Sequence, residues 1–180
     1  MKTNLIILLF SMSILFSCKN DKTESNTEAE KKETVDNVFK VTVNVIAKKN
    51  DDFCLLYTED GSINFTQGSV WQNLKGNENE QQVVFNLPKD VYPTQLRIDF
   101  GMNKEQEDIT LKGIICEYNG KKKEIRGNDL GLLFRPDDSK CTFDSSTGII
   151  KAIIKDGQKQ SPSFYPQEAN LGPELIKLAK

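Results

Sequence analysis

Histidine is absent from all 180 residues, and that absence removes more chemistry than any other feature of the chain. Without it there is no Ser-His or Cys-His nucleophile pair, no imidazole general base and no histidine-ligated catalytic zinc. Glycine-rich phosphate loops are missing too, since the glycines stand singly between apolar runs. Lysine and arginine total 24 against 26 acidic residues, and the formal net charge of −2 is spread without a basic stripe, which excludes nucleic acid as a partner. Lys121, Lys122 and Lys123 are the one local cluster, and they read as a solvated strand end. The four cysteines match no zinc spacing. Cys54, Cys116 and Cys141 sit among β-forming neighbours as buried thiols, with a Cys116–Cys141 disulfide open to them in an oxidising compartment. No apolar run reaches the roughly 20 residues that a spanning helix needs. Nor does apolar spacing mark a long amphipathic helix.

A short apolar run is present at the N-terminus. Lys2 precedes Leu5–Phe10 and Ile14–Phe16, the layout of an export leader. Leu15, Phe16, Ser17 and Cys18 resemble the lipobox of bacterial lipoproteins. The resemblance implies cleavage before Cys18, with residues 1–17 as signal peptide and the Cys18 thiol carrying a diacylglyceryl group beside an amide-linked acyl chain such as palmitate. Several chains on one residue hold a protein at a membrane stably, whereas one chain binds marginally. The same resemblance implies an outer-membrane destination, facing the periplasm or the exterior, since Lys19 stands where lipoproteins retained at the inner membrane carry aspartate. Residues 18–36 continue as a polar Lys/Glu/Asp/Asn/Thr/Ser tether, too poor in apolar side chains to offset its ordering entropy. Residues 37–180 suffice for a single domain.

That domain reads as short strands. Val38–Ile46 alternates, with Phe39, Val41, Val43 and Val45 on one face and Lys40, Thr42 and Asn44 on the other. FCLLYT follows, then a turn at Asp60 and Gly61, a short run around Ile63 and Phe65, and SVWQNL after Gly68. Gly76–Glu80 reads as a charged loop. Gln81–Leu87, Leu96–Phe100 and Ile109–Tyr118 form three strands of one sheet system, the last broken by a bulge at Gly113 that sets Ile109, Leu111, Ile114, Cys116 and Tyr118 on one face. Asn119-Gly120 and Asp156-Gly157 are hairpin pairs. Asp129–Phe134, Cys141–Phe143 and Gly148–Lys155 extend the meander, and Glu174–Lys180 is a last strand or one helical turn. The sum is an all-β, antiparallel sandwich of jelly-roll type, with a barrel as the other architecture.

Tyr57, Asp60, Gly61, Phe65, Ser69 and Val70, then Val84, Phe85, Leu87 and Pro88, then Leu96, Arg97, Ile98 and Asp99, with Ile109 and Ile114, resemble galactose-binding-like sandwich domains. Those occur as carbohydrate-binding modules and beside bacterial surface-polysaccharide enzymes. The resemblance implies a non-catalytic binding domain whose partner is a polysaccharide or an envelope protein. In VWQNL, Val70 and Leu74 form the inward pair, so Trp71, the only tryptophan, faces outward as a platform for a sugar ring, with Tyr57, Phe65 or Tyr92 nearby. Arg97 and Asp99 share one strand face and pair there or face solvent. The candidate ligand contacts are therefore Tyr57, Asp60, Trp71, Arg97 and Asp99. A carboxylate pair for glycoside hydrolysis has Asp60, Asp99, Glu117 and Asp144 to draw on, but no motif singles two of them out, so the chain reads as no enzyme. No cofactor is implied beyond a structural calcium ion in the acidic loops 50–52, 103–108 or 137–138.

Overall fold

A computed structural model describes residues 37–180; the leader, Cys18 and the tether expected from the sequence lie outside the described residues. Thirteen strands and two helices follow in order: β1 (Lys40–Ala47), β2 (Asp51–Thr58), β3 (Gly68–Leu74), β4 (Asn77–Asn86), β5 (Gln95–Asp99), β6 (Ile109–Tyr118), β7 (Lys121–Ile125), α1 (Asn128–Leu133), β8 (Phe134–Pro136), β9 (Cys141–Asp144), β10 (Ile149–Ala152), β11 (Ile154–Lys155), β12 (Gln158–Lys159), β13 (Ser163–Pro166) and α2 (Glu168–Ala179). They build an antiparallel β-sandwich. One sheet runs β4-β1-β6-β10-β9, with β7 also on β6; the other runs β3-β2-β5-β13-β8, and β11 pairs with β12 as a separate ribbon. The three strands expected between Gln81 and Tyr118 are thus divided, β4 and β6 flanking β1 while β5 lies in the opposite sheet.

Alternation sets the core. Phe39, just ahead of β1, and Val41, Val43 and Val45 of β1 share the core with Phe53, Leu55, Leu96, Ile98 and Phe100 from the other side of the sandwich, all at most 1 % exposed. Phe100 meets Phe53 and Phe164 edge-on, with ring centroids 5.6 and 5.0 Å apart. Each such buried side chain contributes about 1.5–3 kcal/mol of transfer free energy. Thr42 and Asn44, on the polar side of β1, are buried as well, because β1 lies between two strands whose long side chains cover them; Gln82 reaches Asn44 at 3.1 Å. The bulge falls at the expected place: Asn44 pairs with Gly113 and Val45 with Leu111, so Lys112 is the extra residue. Ile109, Leu111, Ile114, Cys116 and Tyr118 all enter the core. Asn119 and Gly120 have φ of 48° and 75°, and Asp156 and Gly157 of 51° and 73°, the left-handed pairs a two-residue hairpin turn requires.

Four expectations change. β4 starts at Asn77 rather than after Glu80, since Asn77 pairs with Ala47 and the ladder carries its exposed first residues. The expected strand at 129–134 is α1, whose Leu130 and Leu133, three apart, turn inward together. Gly148–Lys155 divides into β10 and β11. The tail is a 12-residue amphipathic helix rather than a strand or a single turn. Leu171, Leu175 and Leu178 bury one stripe of α2 against β5, β6 and β7, and Pro173 is accommodated in its second turn. Among the described residues no helix is long and apolar enough to cross a membrane.

Candidate functional site

The register of the β3-β2-β5-β13-β8 sheet decides which side chains share its outer face. Trp71 pairs with Cys54, Cys54 with Asp99, and Asp99 with Ser163, so these four form one row across the strands. Two residues along, Ser69, Leu56 and Arg97 form a second row, continued by Tyr165, which pairs with Arg135 on β8. Trp71 stands 54 % exposed on β3, while Val70 and Leu74 turn toward the core. β3 itself carries no charged residue.

Arg97 and Asp99 meet fork to fork: Nε and one terminal nitrogen of Arg97 donate to the two carboxylate oxygens at 2.8 and 2.9 Å. Both are partly covered, at 18 % and 27 % side-chain exposure, where a bidentate charged pair is stronger than a freely solvated one. The Arg97 guanidinium also lies 4.6 Å from the centre of the Tyr165 ring, and Arg135 lies 5.3 Å from it. Because β13 runs between β5 and β8, the ring stands between the two arginines. Phe65, on the β2–β3 connection, closes on Tyr165 edge-to-face at 6.0 Å. Beneath this layer the Cys54 thiol is pushed up to about 11, by burial first and then by the Asp99 charge, so it stays protonated at neutral pH.

Two of the sequence candidates lie elsewhere. Tyr57 belongs to the core: it is 7 % exposed, and a Cβ on the facing Gly68 would stand 2.3 Å from a ring atom. Burial raises its phenol pKa, and its ring is closed to a stacking ligand. The inward parity of Phe53, Leu55 and Tyr57 on β2 is the sequence signal for this placement. Asp60 sits on the exposed β2–β3 turn, where its carboxylate accepts the Ser62 N–H at 3.0 Å; that bond, first among several, holds its pKa down. Trp71, Arg97 and Asp99 are brought onto one face, whereas Tyr57 and Asp60 are not.

The remaining acidic groups are engaged in local structure. Asp51 accepts N–H groups from Met102 at 2.7 Å and Asn103 at 2.9 Å through one oxygen, and the Gln106 amide at 3.1 Å through the other. It thereby ties β2 to the loop 101–108. Asp137 accepts from Ser139 and lies 3.6 Å from Lys140. Among the described residues no three acidic or thiol groups converge as metal ligands. The four carboxylates considered for hydrolysis are scattered: Glu117 pairs with Lys40 at 3.0 Å, Asp144 binds Ser146 and Thr147 within its own turn, Asp99 holds Arg97, and Asp60 caps its loop. Cys54, Cys116 and Cys141 are free thiols, and burial drives Cys116 up to about 12.

A shallow open cleft at one end of the face is lined by Asp52, Asn73, Lys75, Met102 and Asn103. Tyr165 and Arg135 are the members of the site that sequence reasoning passes over. The proline-bounded SFYP segment hides the alternation that turns Tyr165 outward, and Arg135 directly follows a helix that reads as a strand. Comparison with known proteins finds no matching family model, no matching curated protein and no matching solved structure.

Proposed function

We propose that the chain is a lipid-anchored protein of the bacterial outer membrane whose sandwich is a non-catalytic binding module, with carbohydrate as the ligand class. The single observation that carries the binding reading is Trp71, half-exposed on the same sheet face as the Arg97–Asp99 pair and two strands from it. A flat indole gives a sugar ring an apolar stacking surface, and a fixed arginine–carboxylate pair offers both donors and acceptors for hydroxyl groups. The resemblance of the strand motifs to galactose-binding-like domains supports the same class. Anchoring follows from the lipobox residues Leu15–Cys18.

A glycan-array screen of the protein tests the ligand class: defined saccharide hits support it, and silence across neutral and acidic glycans overturns it. The anchor is tested separately. Cys18→Ala should abolish incorporation of labelled fatty acid, and undiminished labelling removes the lipoprotein reading.

A second reading has its own support. Tryptophan, tyrosine and arginine are the residues that dominate protein-docking hot spots, and this face presents all three. On that reading the module docks onto an envelope complex and takes no small ligand.

A further inference from the structure

We infer that the glycan this face accepts is an extended acidic polysaccharide, laid across the strands with one sugar ring on Trp71 and a sugar carboxylate on Arg135. The inference rests on the carbohydrate reading above and narrows it. It starts from the two arginines that flank Tyr165, which differ in one respect. Arg97 is neutralised by Asp99, whereas Arg135, exposed at the edge strand β8, has no acidic partner among the described residues. Its guanidinium is nonetheless held in place over the Tyr165 ring at 5.3 Å. A stacked guanidinium has already lost much of its rotamer freedom and keeps its fork of N–H donors free. A carboxylate meeting it gains a bidentate, charge-assisted bond at low ordering cost.

Position then sets the size of the ligand. β3 and β8 are the two edges of a five-stranded sheet, so Trp71 and Arg135 are separated by four inter-strand steps of about 4.8 Å, roughly 19 Å. A single sugar, comparable in size to the indole it stacks on, covers one end only. A chain running perpendicular to the strands meets Trp71, then the Arg97–Asp99 pair, then Arg135. Between the two ends the outward residues Ser69, Leu56 and Cys54 carry no charge and the Asp99 charge is held by Arg97, while the exposed Asp52 carboxylate, bonded to Asn73, stands at the Trp71 end and away from Arg135. The exposed apolar residues Leu132, Ile154 and Ile176 lie on α1, β11 and α2 rather than on the strands of this face, which leaves Trp71 and, in the cleft at its end, Met102 as a sparse apolar set that suits a stacked glycan better than a polypeptide.

The test uses the full chain in detergent micelles, titrated with oligouronates of defined length and with the same oligomers after reduction of their carboxyl groups to alcohols. Calorimetry gives the affinities, and Trp71 emission, from the only tryptophan, reports stacking. The long oligouronate should bind about tenfold more tightly than its reduced counterpart, in line with one charge-assisted bond, and more tightly than a monomeric uronate. Arg135→Gln should erase that advantage, bringing the acidic oligomer down to the affinity of its reduced counterpart. Equal affinity for the acidic and reduced oligomers, or an Arg135→Gln variant that binds both like the parent, overturns the acidic ligand while leaving the carbohydrate reading standing. Failure of both oligomers to bind, with the protein folded by its thermal melt, overturns the acidic polysaccharide, and the glycan array then decides separately whether the carbohydrate reading stands.

Discussion

The two sheets of this sandwich turn unlike faces outward. On the β4-β1-β6 side, with β7, Lys40 meets Glu117 at 3.0 Å, Lys122 meets Glu124 at 2.6 Å, and Arg126 approaches the same Glu124 at 3.3 Å. These side chains are substantially exposed and satisfy one another; such pairs contribute at most about 1 kcal/mol each and keep a sheet soluble. On the β3-β2-β5-β13-β8 side, an exposed indole, a tyrosine between two arginines and one partly covered ion pair occupy the corresponding positions. Both faces arise from the same period-2 alternation. Composition of the outward residues, and which of their charges are left without a partner, separates a solvated face from one able to recognise something.

The sharpest way to break the comparison is to confuse its inside with its outside. Tyr57→Ala should cost about 3–5 kcal/mol in chemical denaturation, as for other large buried side chains, because Tyr57 fills the core under Gly68. Trp71→Ala, on the face rather than under it, should change stability by no more than about 1 kcal/mol yet weaken glycan binding on the order of 10- to 100-fold. If both variants unfold alike, the distinction between the two aromatics collapses.

A smaller effect is expected at the ion pair. Asp99→Asn leaves Arg97 partly covered without its counter-charge and should destabilise by about 1–2 kcal/mol, measurable as a shift in denaturation midpoint. Acid should reveal a different pair. Hydrogen bonds from Lys177 and Lys123 hold Glu174 at about 2, against an ordinary value of 4.5. A depressed carboxylate contributes stability that is present above pH 4.5 and is lost as pH falls toward 2, so the folded protein should weaken across that window and Glu174→Gln should flatten the dependence. Partial exposure of Glu174 keeps this effect modest. Least of all should change at the solvated face: Lys40→Ala should shift stability by under about 0.5 kcal/mol and leave glycan binding intact.

Much of this fold is legible in the chain. Alternation in β1, the Gly113 bulge and the Asn119-Gly120 turn are local rules that act within a few residues, and the structure obeys them. What escapes is set by partners distant in sequence. Thr42 and Asn44 are buried because β4 and β6 flank them, and nothing in VTVNV announces that. α2 escapes because three prolines around it read as breakers, although Leu171, Leu175 and Leu178 stand at helical spacing. The site divides in the same way. The outward parity of Trp71 and the shared face of Arg97 and Asp99 follow from counting along single strands. The stacking of Tyr165 between Arg97 and Arg135 depends on β13 inserting between β5 and β8, a pairing across segments far apart in the chain.

The claim that recognition belongs to the Trp71 face is tested most directly by placing the parent protein, Trp71→Ala and Lys40→Ala on the same glycan array. The parent and Lys40→Ala should show the same saccharide hits and Trp71→Ala should lose them. Hits that survive in Trp71→Ala, or vanish in Lys40→Ala, would contradict it.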